Sequence, residues 1–218
     1  MSYNYNKISN TPEERQQIIF PYVFWNDAFS PEELEKICEV SSNGLSSGAI
    51  GGNPSAKDNA KDGLVPTLNE TVRTSQVAFN TVNDQNRWVF ERLNYLIEEC
   101  NNRWYNFDLN GYDQYQYTEY HSSVNGHYNW HVDTHYGPKS KDQYSETRKL
   151  SLTLLLNDPE EDFTGGEFQM GHQNNIDSVK MKKGTLILFP SFQLHRIAPV
   201  TKGVRKSLVV WVLGPKFR

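Results

Sequence analysis

Long apolar runs are missing from this chain. No stretch approaches the roughly eighteen consecutive apolar residues that a membrane-spanning helix requires, and the mean hydropathy is −0.70, so no membrane span is expected. The opening residues Met1-Ser-Tyr-Asn-Tyr-Asn-Lys carry neither a basic n-region nor an apolar h-region; no secretory signal is read there, and a cytoplasmic location is expected. An excess of positive charge is missing too. With 22 Lys+Arg against 26 Asp+Glu, the net charge is −4 and the pI about 5.9, which argues against a broadly basic nucleic-acid surface while leaving room for a local basic channel. Cysteine is scarce: Cys38 and Cys100 each lie in a helix-like apolar pattern and are expected as buried thiols, not as a disulfide or a metal pair. No internal repeat and no linker interrupts the chain, and 218 residues are enough for one domain over 1–218 with a pocket-lining core.

What is present changes character along the chain. Residues 1–15 are polar and read as a loosely held arm. Ile18 to Trp25 is an apolar run broken by Pro21, the signature of an edge strand, where a missing amide is tolerated. Ser30-Pro-Glu-Glu33 predicts a helix start with a capping box and proline at the first position, followed by Leu34, Ile37, Cys38 and Ser41 at helical spacing. From Ser41 to Leu64 the composition turns to Ser, Gly, Asn, Ala, Lys and Asp; this is read either as a lid or binding loop or as a tolerated insertion. Val72 to Phe79 predicts one strand. Asp84 is expected to cap a second helix carrying Val89, Leu93, Ile97, Cys100 and Trp104 and ending near Asn106.

After residue 106 the period changes from 3.6 to 2. Strands are predicted over Tyr112–Tyr120, Tyr128–His135, Leu150–Leu156, Glu167–Met170, Thr185–Phe189 and Lys206–Leu213, with turns at Ser122–Gly126, over 157–166, at Lys180–Gly184 and at Thr201–Val204. Helices first and many short strands afterwards imply a mainly β (α+β) fold. Its core barrel, over about 106–214, would be antiparallel and buttressed by an N-terminal strand and helix support over 16–105.

Asn129-Trp-His131-Val-Asp133-Thr-His135 is the stretch that carries chemistry. On a strand, His131 and Asp133 would share a face, and with His195 they form the two-histidine, one-carboxylate set that leaves three positions of an octahedral iron(II) open. Ten positions after His195 (205 − 195 = 10), Arg205 is expected to point into a barrel lined by Leu, Val and Trp. An unpaired charge there costs several kcal/mol, and no nearby acid is an obvious partner, so a dicarboxylate ligand is expected. Lys206 should face solvent. His127 and His131 would form a metal pair only on a helix, which Gly126 and the β-rich surroundings oppose; His135 is placed at the pocket rim, and His121 and His172 at the surface.

Taken together, His131-Val-Asp133, Thr164-Gly-Gly-Glu-Phe168, His195-Arg-Ile-Ala-Pro-Val and Gly203-Val-Arg205 resemble the 2-oxoglutarate- and iron(II)-dependent dioxygenases, in their prolyl 4-hydroxylase-like branch, over roughly residues 70–214. The resemblance implies a double-stranded β-helix (jelly-roll or cupin-like) core, with Fe(II) held by His131, Asp133 and His195 and the distal carboxylate of 2-oxoglutarate held by Arg205. It implies O2 as oxidant, with ascorbate as an accessory reductant. It assigns Tyr120 to a hydrogen bond with 2-oxoglutarate, and Tyr128, Arg148 and Trp211 to a peptide or protein substrate. For Trp211 core packing, and for Arg148 a solvated strand end, stand as alternatives. The implied reaction is hydroxylation of a C–H bond, in first place a prolyl residue, with succinate and CO2 as co-products. Asp133 favours hydroxylation, because halogenating relatives lack that carboxylate.

The same chemistry on a lysyl residue, a small molecule or a nucleobase remains open. A nucleobase enzyme would want a basic, strand-tracking surface that the composition does not offer. A zinc hydrolase could use the triad but would leave Arg205 unexplained. A non-catalytic β-barrel binding module would have no reason to keep all three ligands.

Overall fold

The computed structural model describes residues 20–49, 68–134, 146–172 and 175–216. The predicted N-terminal arm, most of the Ser41–Leu64 loop and His135 lie outside the described residues. Among the described residues no helix is long and apolar enough to cross a membrane.

The described residues form thirteen strands and two α-helices, in order: β1 Val23–Trp25, α1 Pro31–Ser41, β2 Ser46–Ser47, β3 Arg73–Thr74, β4 Gln76–Thr81, α2 Arg87–Cys100, β5 Gln114–His121, β6 His127–His131, β7 Glu146–Leu155, β8 Phe163–Gly165, β9 Phe168–His172, β10 Asn175–Val179, β11 Leu186–Pro190, β12 His195–Ile197 and β13 Val200–Pro215. The larger sheet runs β1-β11-β7-β13-β5-β4-β2, with β8 joined to the start of β13; the smaller runs β10-β9-β12-β6-β3. All named pairs are antiparallel. The mainly β architecture with flanking helices is as expected, and β1 lies at a sheet edge as Pro21 implied.

Strand alternation sorts the side chains into two environments. In Leu150-Ser-Leu-Thr-Leu-Leu, the leucines 150, 152 and 154 point to one face and Ser151, Thr153 and Leu155 to the other. The first set joins Tyr115, Tyr117, Leu186, Leu188, Leu208, Val210 and Val212 in a core shared with Leu34 and Ile37 of α1 and Val89, Leu93, Ile97 and Cys100 of α2. Each such buried apolar side chain contributes about 1.5–3 kcal/mol. The second face meets the smaller sheet: Tyr120, Leu155, Ile187 and Phe189 pack against Phe168, Met170, Val179 and Ile197. Helices therefore cover the back of the larger sheet, and the barrel interior lies between the two sheets.

The start of α1 is as predicted. Ser30 accepts from the Glu33 amide, Glu33 returns a bond to the Ser30 amide, and Pro31 occupies the first turn. Other expectations shift. The predicted strand Val72–Phe79 is two strands, because Arg73–Thr74 pairs with β6 in the smaller sheet while Gln76–Thr81 pairs with β5 in the larger. Asp84 does not cap α2; the Asn83 carboxamide accepts the Gln85 and Asn86 amides, and exposed Asp84 lies 3.7 Å from Arg87. After Cys100 the helix widens into a π turn over Asn101–Tyr105 and stops at Asn106 in the left-handed region. The predicted turn Thr201–Val204 lies within β13, which bends at Gly203 (φ 70°). There the strand passes from β8 to β5, and a side chain at 203 would collide with the Asp162 carbonyl. The β9–β10 hairpin was not anticipated.

Candidate active site

The metal-type residues come from two strands of the smaller sheet and the segment just after one of them. His131 ends β6 and His195 opens β12, and the two are cross-strand partners. Asp133 is not on the strand as expected, because β6 stops at His131. The Asp133 and Thr134 amides turn away to the Ser191 carbonyl at 2.8 and 3.0 Å, and this bend still brings the carboxylate to the histidines. Asp133 Oδ1 lies 3.6 Å from His131 Nε2, and Oδ2 lies 3.6 Å from His195 Nε2. One donor atom from each residue falls within 4.8 Å of the others.

Both imidazoles are set the same way. His131 Nδ1 meets the Asn129 carbonyl at 2.7 Å and His195 Nδ1 meets the Gln193 carbonyl at 2.9 Å. A carbonyl only accepts, so each Nδ1 carries the proton and each Nε2 keeps a lone pair for a cation, the usual support for a metal-binding histidine. Burial first, then the charge of His195, pushes the His131 pKa down to about 3. Burial alone would raise the Asp133 carboxyl; His195, His131, Arg148 and the Ser151 hydroxyl outweigh it and hold the group below its ordinary value. A neutral imidazole beside an ionised carboxylate is the form that binds a divalent cation. The donor set, two nitrogens and one oxygen on one side of a cavity, fits iron(II) with open positions.

The cavity has an empty volume of about 430 Å³ counted out to its open mouth. Tyr120, Tyr128, His131, Asp133, His195 and Trp211 line it, with Arg73, Gln116, Ser207, Phe168 and Phe189. Arg205 lies on the same face of β13 as Ser207 and Trp211, directly across from Tyr120 on β5. Its side chain is 1% exposed, and among the described residues neither Nη1 nor Nη2 has a hydrogen-bond partner. The guanidinium sits 5.8 Å from the Tyr120 ring. Burial lowers the Arg205 pKa to about 10, partly offset by Tyr120, so it remains a cation at neutral pH. The Thr164-Gly-Gly segment makes room for it: a side chain on Gly166 (φ 67°) would meet Arg205 Cδ at 3.0 Å.

The Tyr128 ring stacks on His131 at 3.6 Å, and the Arg148 guanidinium lies 4.1 Å from the Trp211 ring. Trp211 lines the cavity, and its buried Nε1 has no hydrogen-bond partner among the described residues. Arg148 does not line the cavity, yet it is not a solvated strand end either, since its charge acts on Asp133. Lys206 is half-buried and faces away from Arg205.

His127 is on a strand and bonds the Asn125 carbonyl, so it forms no metal pair with His131. His121, expected at the surface, is half-buried and pairs with Glu119 at 2.9 Å; the His172 side chain lies outside the described residues. Cys38 and Cys100 are free, and burial raises both thiols, Cys100 to about 12.

Two groups of site residues went unread in the sequence. Arg73 is buried, donates from Nε to Ser75 Oγ at 2.8 Å and lies 4.8 Å from the Tyr128 ring. Ser151 donates to Asp133 Oδ2 at 2.7 Å and contacts Ser191 Oγ at 2.9 Å. The signal for Ser151 was present as a hydroxyl alternating with leucines; Arg73 offered only a charge inside a strand-like run.

Comparison with known proteins gives a consistent result. Residues 115–213 match the 2OG-Fe(II) oxygenase superfamily. A PKHD-type hydroxylase of Prochlorococcus marinus (strain NATL2A) is 38% identical over 86 residues, 39% of this chain and 36% of that protein. One of Xylella fastidiosa (strain M23) is 46% identical over 63 residues, 29% of this chain and 27% of its own. The matched stretches thus span about a third of these relatives' lengths. Among solved structures, a Trichoplax adhaerens prolyl hydroxylase in complex with a hypoxia inducible factor peptide fragment superposes with a TM-score of 0.67 at 17% identity, covering 89% of this chain and 84% of that one. A Pseudomonas putida prolyl-4-hydroxylase gives 0.61 at 17% identity, with 90% and 94% covered. These likenesses show the fold, a double-stranded β-helix, while the family match covers the segment that contains His131, Asp133, His195 and Arg205. Over residues 115–213 the chain is therefore similar to the 2OG-Fe(II) oxygenase superfamily, and its fold is similar to that of the prolyl hydroxylases.

Proposed function

We propose that this protein is a 2-oxoglutarate- and Fe(II)-dependent hydroxylase whose substrate is a prolyl residue in a peptide or protein. The observation that carries the cosubstrate half is Arg205: a buried cation whose Nη atoms lack a hydrogen-bond partner among the described residues, across from Tyr120 in the wall of the cavity that holds the two-histidine, one-carboxylate cluster. A dicarboxylate is the partner that would satisfy both.

His131, Asp133 and His195 would hold Fe(II) through their free Nε2 and carboxylate atoms, with the Asn129 and Gln193 carbonyls fixing the rings. Bound iron supplies the oxidising chemistry: O2 and 2-oxoglutarate are converted to succinate and CO2, and one oxygen atom is inserted into a substrate C–H bond. Arg205 would take the distal carboxylate of 2-oxoglutarate as a charge-assisted pair, with Tyr120 covering it. Phe189 and Phe168 pack edge-on and tilted against His195 at 4.8 and 5.7 Å, keeping water from that side. Tyr128 and Trp211 line the cavity, with Arg148 over the Trp211 ring, and flat aromatic surface beside a cation suits a proline ring flanked by peptide carbonyls. The likeness to enzymes named as prolyl hydroxylases supports the same reading.

Anaerobic addition of Fe(II) and 2-oxoglutarate should raise a weak visible charge-transfer band in the wild type. Incubation with proline-rich peptides under air should then add one oxygen atom, read by mass spectrometry. Succinate formed without any gain of peptide mass would remove the prolyl assignment and point to a lysyl or small-molecule substrate; absence of the band would remove the cosubstrate.

A further inference from the structure

The carboxylate of the cluster is held differently from its imidazoles. Each imidazole is fixed by a carbonyl two residues earlier on its own segment. Asp133 lies beyond the end of β6, and what fixes it comes from two other strands. Ser191, just after β11, takes the Asp133 and Thr134 amides on its carbonyl and gives its own amide to the Lys149 carbonyl at 2.9 Å. Ser151, on β7, reaches Asp133 Oδ2 at 2.7 Å and Ser191 Oγ at 2.9 Å. An ionised carboxylate only accepts and a hydroxyl has one proton, so the chain has a single direction: Ser191 donates to Ser151, and Ser151 donates to Asp133. Both serines are 0% exposed and Asp133 is 6% exposed, so water does not substitute for either bond.

We propose that Ser151 and Ser191 are positioning residues that set the rotation of the Asp133 carboxylate for divalent metal binding, through two hydroxyls in series on Oδ2. Backbone clamping by the Ser191 carbonyl places the Asp133 Cα, but it leaves the carboxylate free to turn about its side-chain torsions; the Ser151 bond removes that freedom. The inference rests on the metal reading proposed above.

Mn(II) serves as a redox-inert probe, titrated into the metal-stripped full-length protein by calorimetry or by loss of the free-ion EPR signal, with the melting temperature of each metal-free protein taken alongside. Loss of such an outer hydrogen bond typically weakens metal binding about 10–100-fold, and that range is expected for Ser151→Ala. Ser151→Thr, which keeps the hydroxyl, should return to within about threefold of wild type. Ser191→Ala should fall between Ser151→Ala and wild type, since its backbone clamp survives. The metal-free Ser151→Ala protein should melt within about 5 °C of wild type, the shift one buried hydrogen bond gives. Mn(II) affinity unchanged in Ser151→Ala while the melting temperature falls would make the serine a packing residue only and overturn the inference. Equal weakening in Ser151→Thr and Ser151→Ala would also overturn it, because the hydroxyl would not be the cause. Failure of wild type to bind Mn(II) would instead overturn the metal reading itself.

Discussion

The two sides of the cavity are finished to different degrees. At the metal side every donor is already oriented: both Nδ1 atoms are bonded to carbonyls, and Asp133 is held by Ser151. At the Arg205 side a buried guanidinium has two terminal nitrogens with no hydrogen-bond partner among the described residues. Buried charges are ordinarily paired, since an isolated one costs several kcal/mol. The metal side is therefore a preorganised cup, whereas the Arg205 side carries a buried charge that calls for an anionic partner. Only the second side says what the ligand must be.

This contrast can be broken in three ways, taken from the largest effect down. Replacing Arg205 by methionine removes an uncompensated buried charge while keeping much of its volume. The ligand-free protein should become more stable by about 3 kcal/mol, measured by urea unfolding. A loss of stability would mean that Arg205 is paired within the fold.

The metal side makes the next prediction through pH. His131 has its folded-state pKa lowered to about 3, against about 6.5 unfolded. On acidification from 6.5 toward 3 the unfolded chain takes up a proton that the folded protein refuses, so stability falls across that window. The slope is up to about 1.4 kcal/mol per pH unit for this group, or about 2 kcal/mol between pH 6.5 and 5. Asp133, held below its ordinary value, adds its own loss only at lower pH, as the pH falls through its folded-state pKa. Chemical unfolding of the metal-free protein at pH 7.5, 6 and 5 should show this decline, and His131→Gln should flatten it. Parallel curves for the two proteins would contradict the buried, neutral histidine.

The smallest effect separates scaffold from site. Ser30→Ala removes the cap of α1, on the far side of the larger sheet. It should cost about 1 kcal/mol of stability and leave Mn(II) and 2-oxoglutarate affinities unchanged by calorimetry. A shift in either affinity would mean that helix and cavity are coupled.

How much of this was legible in the sequence follows from the range of the interactions. The α1 cap, the alternation of Leu150-Ser-Leu-Thr-Leu and the identities of His131, Asp133, His195 and Arg205 are local or compositional, and they could be read directly. Bonds between distant residues could not. The end of β6 at His131 is set by the Ser191 carbonyl, and the support of Asp133 by Ser151 and Ser191, none of which marks the sequence near residue 133. The split at Ser75 has the same origin, since Arg73 and Gln76 find partners in different sheets. Gly203 carried a visible signal that was misread: a glycine needing positive φ marks a bend within a long strand as well as a turn between two.

The most direct test of the account is anaerobic calorimetric titration of 2-oxoglutarate into Mn(II)-loaded wild type and Arg205→Met. Loss of one partner of a buried charge pair costs about 2–5 kcal/mol, so the variant should bind at least about 30-fold more weakly while its Mn(II) affinity is unchanged. Equal 2-oxoglutarate affinity in the two proteins would contradict the assignment of Arg205 as the cosubstrate's anchor.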